Sequence, residues 1–213
     1  MDRQQSRADR LIHQFDTVLR TLMPQAASSQ RTNPADGVAE GVLGDRERRH
    51  AAGLMRISHT GGVCTQALYQ GQSVTAKLPH VRKQMEQSAL EEFDHLAWSD
   101  ERLEQLNSRT SYLNPLFYVT SFGIGAATGA VSDRISLGVI AAVEEQAGQH
   151  LDAYQKSLPA GDTRSRAILR QISTDEAHHS QLALEGGGAR YPAPVKWGMR
   201  LVSKVMTKSV YHL

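Results

Sequence analysis

Glu92-Phe93-Asp94-His95 and Glu176-Ala177-His178-His179 each set a carboxylate three residues ahead of an imidazole inside a long helical pattern. A helix advances about 100° per residue, so positions i, i+3, i+4 and i+7 share a face. On the first pattern that face reads Met85, Ser88, Glu92, His95, Leu96, Ser99, Leu103 and Leu106. On the second it reads Leu169, Ile172, Glu176, His179 and Ala183. A third pattern carries Leu137, Ile140, Ala141, Glu144, Ala147, Leu151 and Leu158. Glu92, His95, Glu144, Glu176 and His179 therefore sit inside apolar stripes. Glu91 and Glu145 point elsewhere, and Asp175 and His178 fall toward an edge. Burying charged carboxylates in a core is costly unless a cation compensates them. Paired Glu-x-x-His helices with further glutamates are how a four-helix bundle holds two iron ions. A carboxylate-bridged metal centre is thus the leading hypothesis.

Height along the bundle adds a second constraint. Glu144 stands sixteen residues before the Ala160 turn and Glu176 sixteen after it, so an antiparallel hairpin brings them level. Counted back from the Leu78 turn, Glu92 to His95 face positions 61 to 64. The geometry asks for one more carboxylate near residue 62, but the sequence there is His59-Thr60-Gly61-Gly62-Val63-Cys64. Water, Cys64 or His59 are the groups that could stand in. A third match, Glu47-Arg48-Arg49-His50, lies fifteen residues from position 62 among arginines and reads as a solvated or ion-paired helix end.

The rest of the chain is helical in pattern, without convincing strand alternation. Leu11, Ile12, Phe15, Val18, Leu19 and Leu22 make an amphipathic N-terminal helix, and Pro24 to Gly37 reads as a linker. Helices are expected over 45–77, 79–106, 133–158 and 163–185, with a Gly-rich apolar segment at 112–131 and a last helix from Pro192 and Pro194 to Tyr211. Residues 1–44 form the N-terminal helix and linker, and residues 45–213 the bundle domain. The last helix sets Lys196, Arg200, Lys204 and Lys208 on one side and Val195, Met199, Val202, Val205, Met206 and Val210 on the other, with Trp197 near the boundary. That is the pattern of an interfacial helix on anionic lipid.

A chain of 213 residues suffices for one domain with a sizeable core. A formal charge of +2 and the lack of aromatic interleaving argue against a nucleic-acid partner. Cys64 is the only cysteine, which excludes an internal disulfide and fits a reducing compartment. Met1 to Arg10 is polar, unlike a secretory signal. The most apolar stretch, Tyr112 to Val131, is broken by Pro115, Gly123, Gly125 and Gly129, against a membrane span.

With these motifs in order and spacing, the chain resembles the demethoxyubiquinone hydroxylases, di-iron monooxygenases of ubiquinone biosynthesis. The resemblance is clearest at Arg48 to Lys77, Glu92 to Asn114, Glu144 to Leu151, Asp175 to His179 and Pro192 to Leu213. It implies an all-α, ferritin-like four-helix bundle with extra membrane-facing helices and six ligands to two iron ions. Five ligands carry over onto Glu92, His95, Glu144, Glu176 and His179. The sixth is a glutamate in a His-Thr-Gly-Glu-Val run, where this chain has Gly62. His150 matches a position near the family's site, in an electron or proton path. The implied partners are a prenylated benzoquinol, O₂, an electron donor such as NADH or a reductase, and the cytoplasmic face of the cell membrane as a peripheral seat. A homo-oligomer or a biosynthetic complex is compatible with this. Two other readings compete: an iron-oxidising or iron-storing ferritin-like protein, and a metal-poor, non-catalytic lipid-binding or complex-organising protein.

Overall fold

The computed structural model describes residues 7–213. Residues 1–6, on which the reading of a polar start partly rests, lie outside it. The described residues form seven helices and no strand: α1 (Arg7–Leu22), α2 (Asp45–Thr75), α3 (Pro79–Gln105), α4 (Asn114–Val131), α5 (Asp133–Ser157), α6 (Thr163–Glu185) and α7 (Ala193–Val210). α2 pairs with α3, and α5 with α6, as two antiparallel hairpins that pack into a ferritin-like four-helix bundle. α4 lies along α2 as an added layer.

The helix ends follow local chemistry. The Ser132 hydroxyl accepts from the Ile135 N–H, and the Asp162 carboxylate accepts from the Ser165 N–H, so each satisfies an orphan donor of a first turn. Asp133 accepts the N–H groups of Lys77 and Leu78 at 3.0 and 2.8 Å, which ties the α2–α3 turn to the start of α5. α2 and α4 approach closely because glycines meet at their crossing. A Cβ on Gly71 would collide with the Phe122 carbonyl, and one on Gly125 with the Leu68 carbonyl.

Among the described residues the core holds three apolar clusters, and two of them bracket the inward polar residues. One gathers Leu54, Met55, Trp98, Leu103, Ile168 and Leu169; the other gathers Leu68, Tyr69, Met85, Leu137 and Ile140. The five inward acids and imidazoles fall between the two on α3, α5 and α6, so the polar group is sealed at both ends by hydrocarbon.

Two N-terminal features go beyond what the pattern of the chain specifies. α1 leaves much of its apolar stripe outside: Leu11, Ile12 and Phe15 are 72, 68 and 65 % exposed, while Val18 and Leu22 pack half-buried on the bundle and Thr17 and Thr21 are buried. Residues 23–44, which read as a linker, are a strap tied to the bundle. The Ser29 hydroxyl and the Gln30 N–H donate to Asp94 at 3.0 and 2.7 Å. Arg31 pairs with Asp94 and with Asp175. Glu40 pairs with the fully buried Arg102, which also holds Asp162 at 3.0 Å, and the Gly41 N–H donates to the Gly161 carbonyl. No helix among the described residues is long and apolar enough to cross a membrane.

Candidate metal centre

The site grows from three helices. α3 supplies Glu92 and His95, α5 supplies Glu144, and α6 supplies Glu176 and His179. All five are buried, at 0 to 4 % exposure. Glu92, Glu144, Glu176 and His179 each offer one donor atom within 4.8 Å of all the others. His95 joins from the far side of the two central carboxylates.

Those two carboxylates are oriented alike. Glu92 turns Oε2 to His95 Nδ1 at 3.4 Å and Oε1 to His179 Nδ1 at 3.7 Å. Glu176 turns Oε1 to His95 Nδ1 at 3.7 Å and Oε2 to His179 Nδ1 at 3.9 Å. Each therefore faces one imidazole with each oxygen. The outer ring nitrogens are held crosswise by acids of the opposite helix. His95 Nε2 lies 2.9 Å from Asp175 on α6, and His179 Nε2 lies 2.9 Å from Glu91 on α3. In the neutral ring a carboxylate at Nε2 fixes the tautomer that leaves an Nδ1 lone pair facing inward, as in carboxylate–histidine–metal arrangements. Tyr69 donates its hydroxyl to Glu144 Oε1 at 2.9 Å.

The inner atoms face one another and little else. Both oxygens of Glu92, Oε2 of Glu144, Oε2 of Glu176 and Nδ1 of both histidines are buried and find no hydrogen-bond partner. Buried polar atoms are nearly always paired, so six orphans in one cluster fit a cationic guest with oxygen and imidazole ligands. The electrostatics agree. Burial raises the carboxyls of Glu144 and Glu176, and at Glu176 the charges of Glu144 and Glu92 push further the same way. Burial lowers His95, but Glu92 and Asp175 outweigh it and lift the imidazole to about 9. Burial also works against charge on Asp175, yet His95 and Arg31 hold that carboxyl well below its ordinary range.

Comparison with known proteins places this arrangement. Residues 49–210 match the family model described as ubiquinone biosynthesis protein COQ7. The chain belongs to the COQ7 family. It is 67 % identical over 213 residues to a 3-demethoxyubiquinol 3-hydroxylase of Chromohalobacter salexigens, covering all of both chains. Proteins of the same name from Stutzerimonas stutzeri and Pseudomonas aeruginosa are 59 and 56 % identical to it, over 99 and 100 % of this chain and 98 and 99 % of theirs.

The COQ7-family bundle brings together the five residues singled out from the sequence. It also places position 62 where helix counting put it: a Cβ on Gly62 would stand 3.6 Å from Glu92 Oε2 and 3.2 Å from Leu96 Cδ2. His59 and Cys64, the two side chains that could stand in, turn away from this point. His59 lies against Asn114 with its imidazole pushed down by burial to about 4, and Cys64 meets Ser121 with its thiol pushed up by burial to about 11. His150 does not join the cluster either. Six residues turn a helix about 240° past Glu144, and His150 stacks on Tyr154 and approaches Ser203 of α7 at 3.5 Å. The third Glu-x-x-His serves the fold. Glu47 accepts the Gly44 N–H at the start of α2, and His50 meets Tyr211 and Ser157.

Two participants escape the stripe analysis, Glu91 and Asp175. Both stand immediately before an inward glutamate, so the two helices carry the same acid-Glu-x-x-His order. That repeated acidic pair is the signal from which they could have been found.

Proposed function

We propose that this chain hydroxylates the ring of a 3-demethoxyubiquinol in ubiquinone biosynthesis, using O₂ at a centre of two iron ions. The observation that carries this reading is the crosswise cluster of six orphaned inner atoms, in a chain 67 % identical from end to end to a 3-demethoxyubiquinol 3-hydroxylase. One oxygen atom converts a ring C–H to C–OH and the other leaves as water, with two electrons and two protons drawn from a donor such as NADH or a reductase. Iron supplies the redox chemistry that makes O₂ reactive.

The protein's own residues do the rest. Glu92 and Glu176, which lie between the two imidazoles, would be shared by both iron ions, and Glu144, His95 and His179 would each hold one of them. Asp175 and Glu91 hold the outer nitrogens, which keeps each Nδ1 free of a proton when metal is present. Tyr69 steadies Glu144. The apolar clusters above and below keep bulk water from the centre.

The prenyl tail calls for an apolar surface continuous with lipid. Support comes from α4, where Leu116, Val119 and Ile124 are exposed, and from α7, where Val202 and Val205 are 71 and 68 % exposed beside Trp197. Basic residues flank the α7 face, as expected of a helix lying on the cytoplasmic leaflet.

The test is direct. Protein loaded with ferrous ion under nitrogen is given reductant, ¹⁸O₂ and a short-tailed demethoxyubiquinol. The expected product carries one ¹⁸O on the ring, and His179→Ala abolishes it. Product without label, or equal product from the variant, refutes the proposal. Vesicle flotation tests the seat: anionic vesicles carry the protein, and Val202→Glu with Val205→Glu releases it.

A further inference from the structure

The two imidazoles do not face equivalent surroundings. On the His179 side, Glu92, Glu176 and Glu144 converge with the imidazole into one compact set of four donors. On the His95 side, only Glu92 and Glu176 reach Nδ1, and the next helix around presents Gly62. The same Glu92 oxygen, Oε2, faces both His95 Nδ1 and the place a Cβ on Gly62 would take. A side chain at position 62 would thus point at the metal seated by His95, and glycine offers it nothing. His59 and Cys64, three residues before it and two after, are turned toward α4 and make their contacts there.

We infer that the two seats of the proposed centre differ in affinity: the His179 seat takes a divalent cation first and tightly, and the His95 seat takes a second cation weakly. This deepens the di-iron reading and rests on it. The physical cause is ligand charge count. Three carboxylates and an imidazole surround the first seat, against two shared carboxylates and an imidazole at the second, and affinity for hard cations follows the number of charged ligands. Removing even an outer partner of a ligand costs about 10–100-fold in metal affinity, so lack of a whole terminal carboxylate costs the second seat at least that. The two central carboxylates also lose negative charge to the first cation, which weakens their hold on the next.

The experiment titrates metal-free protein with Mn²⁺ under nitrogen and reads free and bound ion by electron paramagnetic resonance. Spin-coupled pairs and isolated ions have different spectra. One Mn²⁺ per chain should bind first as an isolated ion, with the second at least about 10-fold weaker. Gly62→Glu should bring the second affinity up to the first and give a coupled pair at low loading. Gly62→Ala, which adds bulk without charge, should leave the inequality in place. Leu96 must give slightly to admit either side chain, so helical content and melting are followed for both. His95→Ala and His179→Ala decide the matter without touching position 62: the first should spare the tight ion, and the second should weaken it. Two equal ions in the unaltered chain, or tight binding that suffers equally in both histidine variants, overturn the inference while leaving a di-metal centre standing. Absence of bound Mn²⁺ in both the unaltered chain and a folded Gly62→Glu protein overturns the centre itself.

Discussion

Raising the pH from 6.5 to 9 should destabilise the metal-free protein and strengthen the protection that metal gives it. His95 stands at about 9 in the fold against an ordinary 6.5. Folding therefore stabilises its protonated form. That contribution is fully present below 6.5 and is lost as pH rises through 9. A difference of this size corresponds to about 3 kcal/mol for a fully buried imidazole. Glu144 and Glu176 act in the same direction. Their carboxyls are raised in the fold by burial, so the stability they confer exists below the ordinary carboxylate range and is lost as they ionise. His59 has the opposite sign, being lowered to about 4, but its stabilisation disappears only as pH falls below 6.5, outside the window. Bound metal reverses the trend, because a ligand must give up its proton and affinity grows with pH. Urea unfolding at pH 6.5, 7.5 and 9, with chelator or with Mn²⁺, measures both effects. His95→Gln should flatten the metal-free profile by its share. A metal-free stability that is constant or rises across this range would refute the electrostatic account of the site.

Arg31→Ala should lower metal affinity by about 10–100-fold, as loss of an outer partner does, with helical content unchanged; chelator competition measures it, and unaltered affinity counts against the strap as support for His95. Arg102→Met should cost about 3–5 kcal/mol, because it strands the buried Asp162; a loss under about 1 kcal/mol in urea, the scale of an exposed pair, would show that Asp162 is satisfied without it. Gly125→Ala should cost about 1–3 kcal/mol by forcing α4 off the Leu68 carbonyl. Gly123→Ala, which meets open space, should cost nothing, and equal melting of the two contradicts the close crossing of α2 and α4.

How far the sequence reaches depends on what each inference needs. Helix rise and twist are rigid quantities, so face and height alone brought Glu92, His95, Glu144, Glu176 and His179 together and set Gly62 against Glu92. Cap chemistry is equally local, and Ser132 and Asp162 start helices where their types suggest. Reach across the bundle is different. Glu91 and Asp175 lie about 100° off the inward face, and only the angle and spacing of α3 against α6 let them touch the opposite imidazole. α1 shows that an amphipathic stripe identifies an apolar face but not what covers it, for Leu11, Ile12 and Phe15 stay exposed while Thr17 and Thr21 are buried. The strap was hidden because Ser, Asn and Pro compose linkers and hydrogen-bonded loops alike. Its hold on Asp94 includes a backbone N–H, a group every non-proline residue carries.

The strap also says something about the order of assembly. Arg31 reaches Asp94 and Asp175, partners 63 and 144 positions further along the chain. It cannot grip both until α3 and α6 lie side by side, and contacts so distant in sequence form after local ones. The N-terminal segment can therefore close on both partners only where α3 and α6 already meet, and Arg31 then braces the Asp175 carboxylate that faces His95.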